Sequence, residues 1–530
     1  MGKATNAWIC VLLLSALVQI CGCSDPRSSG DQRSIDPGSQ SSVSVLPVPD
    51  MLERRSSAVQ SEFSISGIQT FDRRGETSEE GSYLRLGPSE AMAYAIYGFD
   101  LAATLPSSID VRFEGSAEAY IAVANYGKLR WDMVGYIEQS LTIPLTEDHV
   151  SESNHVFVAI IIFGSAIATV SGLEFQPRTW EALLSPDPSP GVVGMYSSMA
   201  VVAGNPAIAY YDASNDDLKY VRANSPDGDN WDAPVVLDSD GSVGWYASLA
   251  IINGNPAVSY WDASNFTIKY IHSGDTMGTA GTWSEPATLA PGLSAAQYTS
   301  LTQIEYRPGI AFQDHTTSDL MFIRANDADG TSWPISPQTV DVETGYYPSL
   351  AEVNGNPAIS YYDISTYALK YKRAAGSSGF GWGPAQVLDD MGAAGGQSCL
   401  RVVHGTPAIA YHVSPDGFGD LKYIRSFHPE GQPGHWGTPV TVDAPGSIGS
   451  YPYLGIVNDH PAISYYDTGN QAFKYARSVD RSGIAWELPQ VLDADGSVGK
   501  YSSMVTTEGG LTLIEYFNET QGSLQLIRLR

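Results

Sequence analysis

The chain has 530 residues, more than one ordinary domain accommodates, and carries 58 acidic against 29 basic side chains for a formal charge of −29. Such a surface repels phosphate backbones and anionic lipid, so nucleic acid is excluded as a partner. Only 16% of residues are charged while Gly (52), Pro (32) and Tyr (30) are abundant, the balance of strands joined by tight turns.

Residues 1–22 read as an export signal: one Lys and an apolar run from Ala7 to Ile20, too short to span a membrane. Ile20-Cys21-Gly22-Cys23 resembles the lipobox of bacterial lipoproteins. That resemblance implies lipidation of Cys23 and, with Ser24 following, retention at the outer membrane; plain secretion is the alternative. Cys10 and Cys21 leave with the signal, and Cys23 and Cys399 are far apart, so no disulfide framework is expected. Residues 23–60 are rich in Ser, Asp, Pro, Gly and Arg without periodicity and read as a disordered tether.

From 61 to 177, short alternating runs separated by turn residues predict about eight strands, among them Phe63 to Phe71, Ala93 to Phe99, Ala119 to Ala124 and Ala168 to Phe175. The arrangement expected is a β-sandwich of jelly-roll type. Val156 to Phe163 is continuously apolar and reads as a strand buried on both faces.

Residues 178–530 are repetitive. Asn253-Gly254-Asn255-Pro256-Ala257-Val258-Ser259-Tyr260-Trp261-Asp262 returns, lightly edited, at Ala203, Asn354 and Asn458. An upstream tyrosine marks the phase at Tyr196, Tyr246, Tyr298, Tyr347, Tyr451 and Tyr501, with Gln397 in the slot that lacks it, at spacings of 49 to 54 residues. Each copy predicts four strands; in the second these are a (Tyr246 to Ile252), b (Pro256 to Asp262), c (Thr267 to His272) and d (Trp283 to Leu289), with Asn253-Gly254 as the first hairpin turn. Four antiparallel strands in about 50 residues mean a propeller blade, and seven copies a seven-bladed β-propeller. The last copy stops at Arg530 without its Trp and strand d. Thr179-Trp180-Glu181-Ala182 supplies that pattern upstream of the first copy, so Trp180 to Leu184 is expected to pair with Ser523 to Arg528 and close the ring.

In this topology the tyrosines surround the channel mouth on the face that carries the d-to-a and b-to-c loops. Asp212, Asp262, Asp314, Asp363 and Asp467 end the b strands on that face. Aromatic rings with carboxylates make a sugar-binding surface; packing between blades and capping of b-to-c turns is the structural alternative. Lys219, Lys269, Lys370, Lys422 and Lys474 recur on strand c, a period that speaks for ion pairs between blades or solvated edges rather than catalysis.

Gly228, Gly330, Gly379 and Gly483 stand three residues before a Trp, which resembles the Asp-box hairpin of sialidase-type propellers, although Pro226 and Ala328 occupy the aspartate position. The repeat region also resembles the propellers of fucose-specific lectins, a resemblance that implies sugar binding but carries no ligand residue across. Sialidases clamp a carboxylate with three arginines from different blades. Outside the repeating slot only Arg307, Arg401, Arg481 and Arg530 remain after Trp180, too few in the right place for that clamp.

Departures from the repeat are functional candidates because structure alone does not demand them. Glu515 takes a slot of Ala or Ser, Gln313 and His412 replace the second aromatic of strand b, and Arg401 takes a small-residue position on strand a. No metal or cofactor site is expected: Asp238-Ser239-Asp240-Gly241 and Asp493-Ala494-Asp495-Gly496 read as turns, and no nucleophile, phosphate-loop or metal-ligand spacing occurs. The expected function is an exported, lipid-anchored, non-catalytic binding protein for a glycan or a protein partner at the cell envelope. The alternatives are a glycoside hydrolase with carboxylates at the channel mouth, such as Glu515 with a repeat aspartate, and a purely structural envelope component.

Overall fold

The computed structural model describes residues 46, 47, 49, 52 and 64–529, apart from short internal segments. The signal segment and Cys23 lie outside the described residues. The fold is all-β, in two compact units divided after Arg178. Among the described residues no helix is long and apolar enough to cross a membrane.

The first unit holds two antiparallel sheets. One is built on Met92–Asp100, Ala119–Asn125, Arg130–Ile137 and His155–Phe163; the other on Tyr83–Leu86, Ser108–Gly115, Ser140–Pro144 and Ala168–Gln176. Alternate residues of both, such as Ile121, Val158, Ile160, Val111 and Val170, make one buried cluster. The opposite face of the first sheet is also buried, as Tyr94, Ile96, Phe157 and Ile161 show. Leu46 and Leu52 help cover it, and the Trp131 indole donates to the Pro47 carbonyl at 2.8 Å. Both leucines stand among Pro47, Pro49 and polar residues without periodicity, inside the segment whose composition reads as a tether, and they cap an apolar face. The strands Asp72–Arg74 and Thr77–Glu80 also escape the sequence pattern, because their side chains are mostly polar and exposed.

The second unit consists of seven four-stranded antiparallel sheets, numbered here in chain order from Val193–Asp238 (sheet 1) to Val498–Leu529 (sheet 7). Their a strands meet in sequence, and that of sheet 7 returns to sheet 1. Trp180–Ala182 is the fourth strand of sheet 7, with Trp180 opposite Leu529. Strand a starts earlier than the alternation suggests, at Val243 in sheet 2, because a bulge interrupts its pairing between Trp245 and Ser248. Strand d is shorter, Ala287–Leu289, since Pro286 ends the ladder and Trp283 makes only an isolated bridge to Ser273.

Three repeated devices join the sheets. First, the Trp after a c strand packs edge-on against an aromatic of the preceding sheet, as Trp283 does on Tyr220, Trp333 on Tyr270 and Trp436 on Tyr371 at centroid distances of 5.0 to 5.1 Å, whereas Trp231 packs with the cluster of Leu513 and Leu526. Trp180 takes this place on Tyr475 at 4.9 Å, so the closing segment performs its copy's missing task. Second, serines on strand a accept an amide from the next sheet, as Ser198 does from Leu249 at 3.1 Å and Ser248 from Leu301 at 3.0 Å. Third, a buried ionic clamp spans the sheets: Tyr260 donates to Asp238 of the preceding sheet at 2.6 Å, and Lys269 lies 3.0 Å from both Asp238 and Asp262. Tyr210, Lys219, Asp187 and Asp212 repeat it, as do Tyr465, Lys474, Asp443 and Asp467.

Candidate functional site

Strand a positions the site. At Gly194 and Gly244 the backbone takes φ of 100° and 108°, and a Cβ there would lie within 3.0 Å of the Leu524 or Leu218 backbone of the preceding sheet. Two residues on, the bulge turns a tyrosine inward. Tyr196, Tyr246, Tyr298, Tyr347, Tyr451 and Tyr501 all hold left-handed φ of 52° to 56°, which is costly for a bulky residue, about 1–3 kcal/mol each. Gln397, at the corresponding place of sheet 5, is free of that strain. The sheet can therefore be built without it.

The six tyrosines and Gln397 girdle a cavity of about 690 Å³ formed by all seven a strands. Neighbouring rings are tilted, with centroids 4.5 Å apart for Tyr196 and Tyr246 and 4.6 Å for Tyr246 and Tyr298, or edge-on, at 4.7 Å for Tyr451 and Tyr501. Burial raises the pKa of the Tyr196, Tyr246, Tyr298 and Tyr501 hydroxyls, which stay neutral and able to donate. Arg401 lines the same wall, its guanidinium 4.9 Å from the Tyr453 ring centroid.

The other candidates do not reach the cavity. Glu515 and Gln313 expose no surface, because strand b is covered on both faces by adjoining sheets. Glu515 accepts from Ser197 at 2.7 Å, and burial pushes its carboxyl up to about 8; its other oxygen has no described partner. Its slot is one half of a contact between sheets. Ser259 meets Thr299, Ser360 meets Ser398 and Ser464 meets Ser502, each at 2.9 Å, whereas Ala209, Ala311 and Ala410 stand opposite Ala247, Pro348 and Pro452 in the corresponding places. Both amide atoms of Gln313 lack a described partner. His412 packs against Gly419 and Gly396, and burial lowers its pKa to about 4.

The repeat aspartates are accounted for as well. Asp262 accepts from the Ser264 and Asn265 amides at 3.0 and 2.9 Å, capping its turn, while its second oxygen faces Lys269. Against the upward pull of burial, the bonds from Asn265 and Lys269 lower its pKa. The paired carboxylates of the hydrolase reading are thus not assembled at the mouth. Sequence reasoning missed the serine belt, whose members stand two residues after five of the six tyrosines, and the clamp partners Asp187, Asp238 and Asp443, whose period matches that of the lysines. No group of metal ligands occurs among the described residues.

Compared by sequence, the chain matches no protein-family profile and no curated protein. Compared by structure, it is similar to sialidases and propeller glycosidases. The NanB sialidase from Streptococcus pneumoniae is 8% identical with a TM-score of 0.38, over 84% of this chain and 98% of that one. A phage phi92 endosialidase is 10% identical with a TM-score of 0.41, over 67% and 69%. A thermostable family-43 glycoside hydrolase is 13% identical with a TM-score of 0.31, over 49% and 97%. Likeness at this level leaves function to be argued from the site.

Proposed function

We propose that this chain is an exported, lipid-anchored, carbohydrate-binding protein composed of a jelly-roll-like sandwich and a seven-bladed propeller that takes a sugar at its tyrosine-girdled mouth. One observation carries the binding site: six tyrosines are held in a strained conformation that the sheet at Gln397 does without, and they rim a cavity of about 690 Å³. Aromatic faces stack on the C–H faces of sugars, and neutral phenol hydroxyls exchange hydrogen bonds with sugar hydroxyls. Export and anchoring rest on the apolar run Ala7 to Ile20 and on Cys23. A glycan array with the wild type and a Tyr246→Ala, Tyr298→Ala variant tests the site. The expected result is binding that falls at least tenfold in the variant; absence of binding by the wild type to every glycan would refute it.

The hydrolase alternative has its own observation. Glu515 is kept protonated near neutral pH, the state a general acid needs, and Ser197 connects it to the cavity wall. Release of reducing sugar that disappears in Glu515→Gln would establish it, and its absence would leave Glu515 a structural group.

A further inference from the structure

The cavity wall departs from its repeat along one line. Sheet 5 carries Gln397 where six sheets carry tyrosine, Cys399 where five carry serine, and Arg401 where the others have Ala200, Ala250, Thr302, Ala351, Gly455 and Val505. All three residues line the cavity. The chain of ring contacts around the girdle is continuous from Tyr451 through Tyr501, Tyr196, Tyr246 and Tyr298 to Tyr347, and it is interrupted at Gln397. The notch in the mouth and the arginine therefore belong to the same strand.

Arg401 differs from every repeat arginine. Arg222 and Arg373 spend their donors on the carbonyls that end strand a, and Arg528 closes on Glu181 and Asp229. Arg401 donates to the Leu400 carbonyl at 3.2 Å and lies over Tyr453, but forms no ion pair with a described carboxylate. Glu352, which lines the same cavity, accepts instead from the Glu305 amide at 3.2 Å. A guanidinium has five donors and keeps its charge, and a partly buried one needs a counter-charge. In a chain of net charge −29 a cation at this depth is not surface decoration.

We infer that Arg401 is an anion-binding subsite in the channel, taking one oxyanion, a carboxylate or sulfate, on its free donor edge, with Tyr453 beneath the guanidinium and Gln397 leaving the way in. The oxyanion has two possible sources, a free inorganic anion or the acid group of a sugar held by the girdle; only the second rests on the sugar-binding reading. Both are tested on the purified full chain with Arg401→Ala, which places at this depth the residue that three other sheets hold, and Arg401→Lys, which keeps charge without the fork.

Melting in sodium sulfate against sodium chloride at equal ionic strength is measured first, since the general effect of sulfate falls equally on wild type and variants. Titrations with an oligogalacturonate and with its neutral galactose counterpart follow. If the acid group is the source, the wild type prefers the oligogalacturonate at least tenfold, Arg401→Ala shows no preference, and Arg401→Lys restores part of it. If a free anion is the source, extra stabilisation by sulfate disappears in Arg401→Ala while the two sugars bind alike. Neutral sugar binding with neither effect would overturn the subsite and spare the sugar reading. Loss of the sulfate effect in Arg401→Ala without any sugar binding would do the reverse.

Discussion

Between sheets 1 and 2, Tyr260 and Lys269 close on Asp238, and Lys269 also holds Asp262. Between sheets 2 and 3 the corresponding residues are Phe312 and Met321, packed with Leu289 and Ala290, and Asp314 stays behind as a turn cap to Thr316. The same backbone arrangement is thus held once by a desolvated ion cluster and once by an apolar patch. Either solution works, provided that all its members change together. The recurring charges of this molecule are thereby explained as joints between sheets, and attention passes to the residues that no joint requires.

The comparison can be broken most sharply by changing one member alone. Lys269→Met leaves Asp238 and Asp262 facing each other without a cation, and unfolding free energy is expected to fall by about 3–5 kcal/mol. Adding Asp238→Ala and Tyr260→Phe reproduces the apolar joint and should recover the loss to within about 1 kcal/mol, as denaturant titration would show.

The joint between sheets 7 and 1 contains Glu515 and behaves differently with pH. Its folded pKa, about 8, lies above the ordinary glutamate value, so its contribution to stability is complete below the ordinary value and is lost as pH rises to 8. Glu515→Gln should remove that slope and gain on the order of 4 kcal/mol over the wild type at pH 9. The aspartates of the ionic clamp work in the opposite direction. Asp212 and Asp262 have lowered pKa values, so their contribution is present above the ordinary carboxylate value and is lost as pH falls below it. Acid unfolding should therefore be shallower in the apolar triple variant. The smallest effect is expected for Ser248→Ala, which deprives the Leu301 amide of its acceptor and should cost about 1 kcal/mol by thermal melting.

The repeat was legible because it is written several times over. The phase tyrosines, the Asn-Gly turns and the Trp of each copy place the strands, and Trp180 identifies the segment that pairs with the last one. Arg401 could be placed on the cavity wall because strand a lines it. Depth on strand b could not be read in the same way: both of its faces are covered, so a departure such as Glu515 or Gln313 signals a changed contact rather than an exposed group. Lys269 and Asp238 are 31 residues apart and belong to different sheets, which leaves their period visible and their partnership hidden. The burial of Leu46 and Leu52 had no sequence signal, because two leucines without periodicity say nothing until the face they cover is known.

Sugar affinity measured side by side in Tyr246→Ala and in the Asp238→Ala, Tyr260→Phe, Lys269→Met variant separates girdle from joint most directly. The girdle variant is expected to lose at least tenfold in affinity while the joint variant binds like the wild type. Undiminished binding in Tyr246→Ala, or its loss in a folded joint variant, would contradict the account.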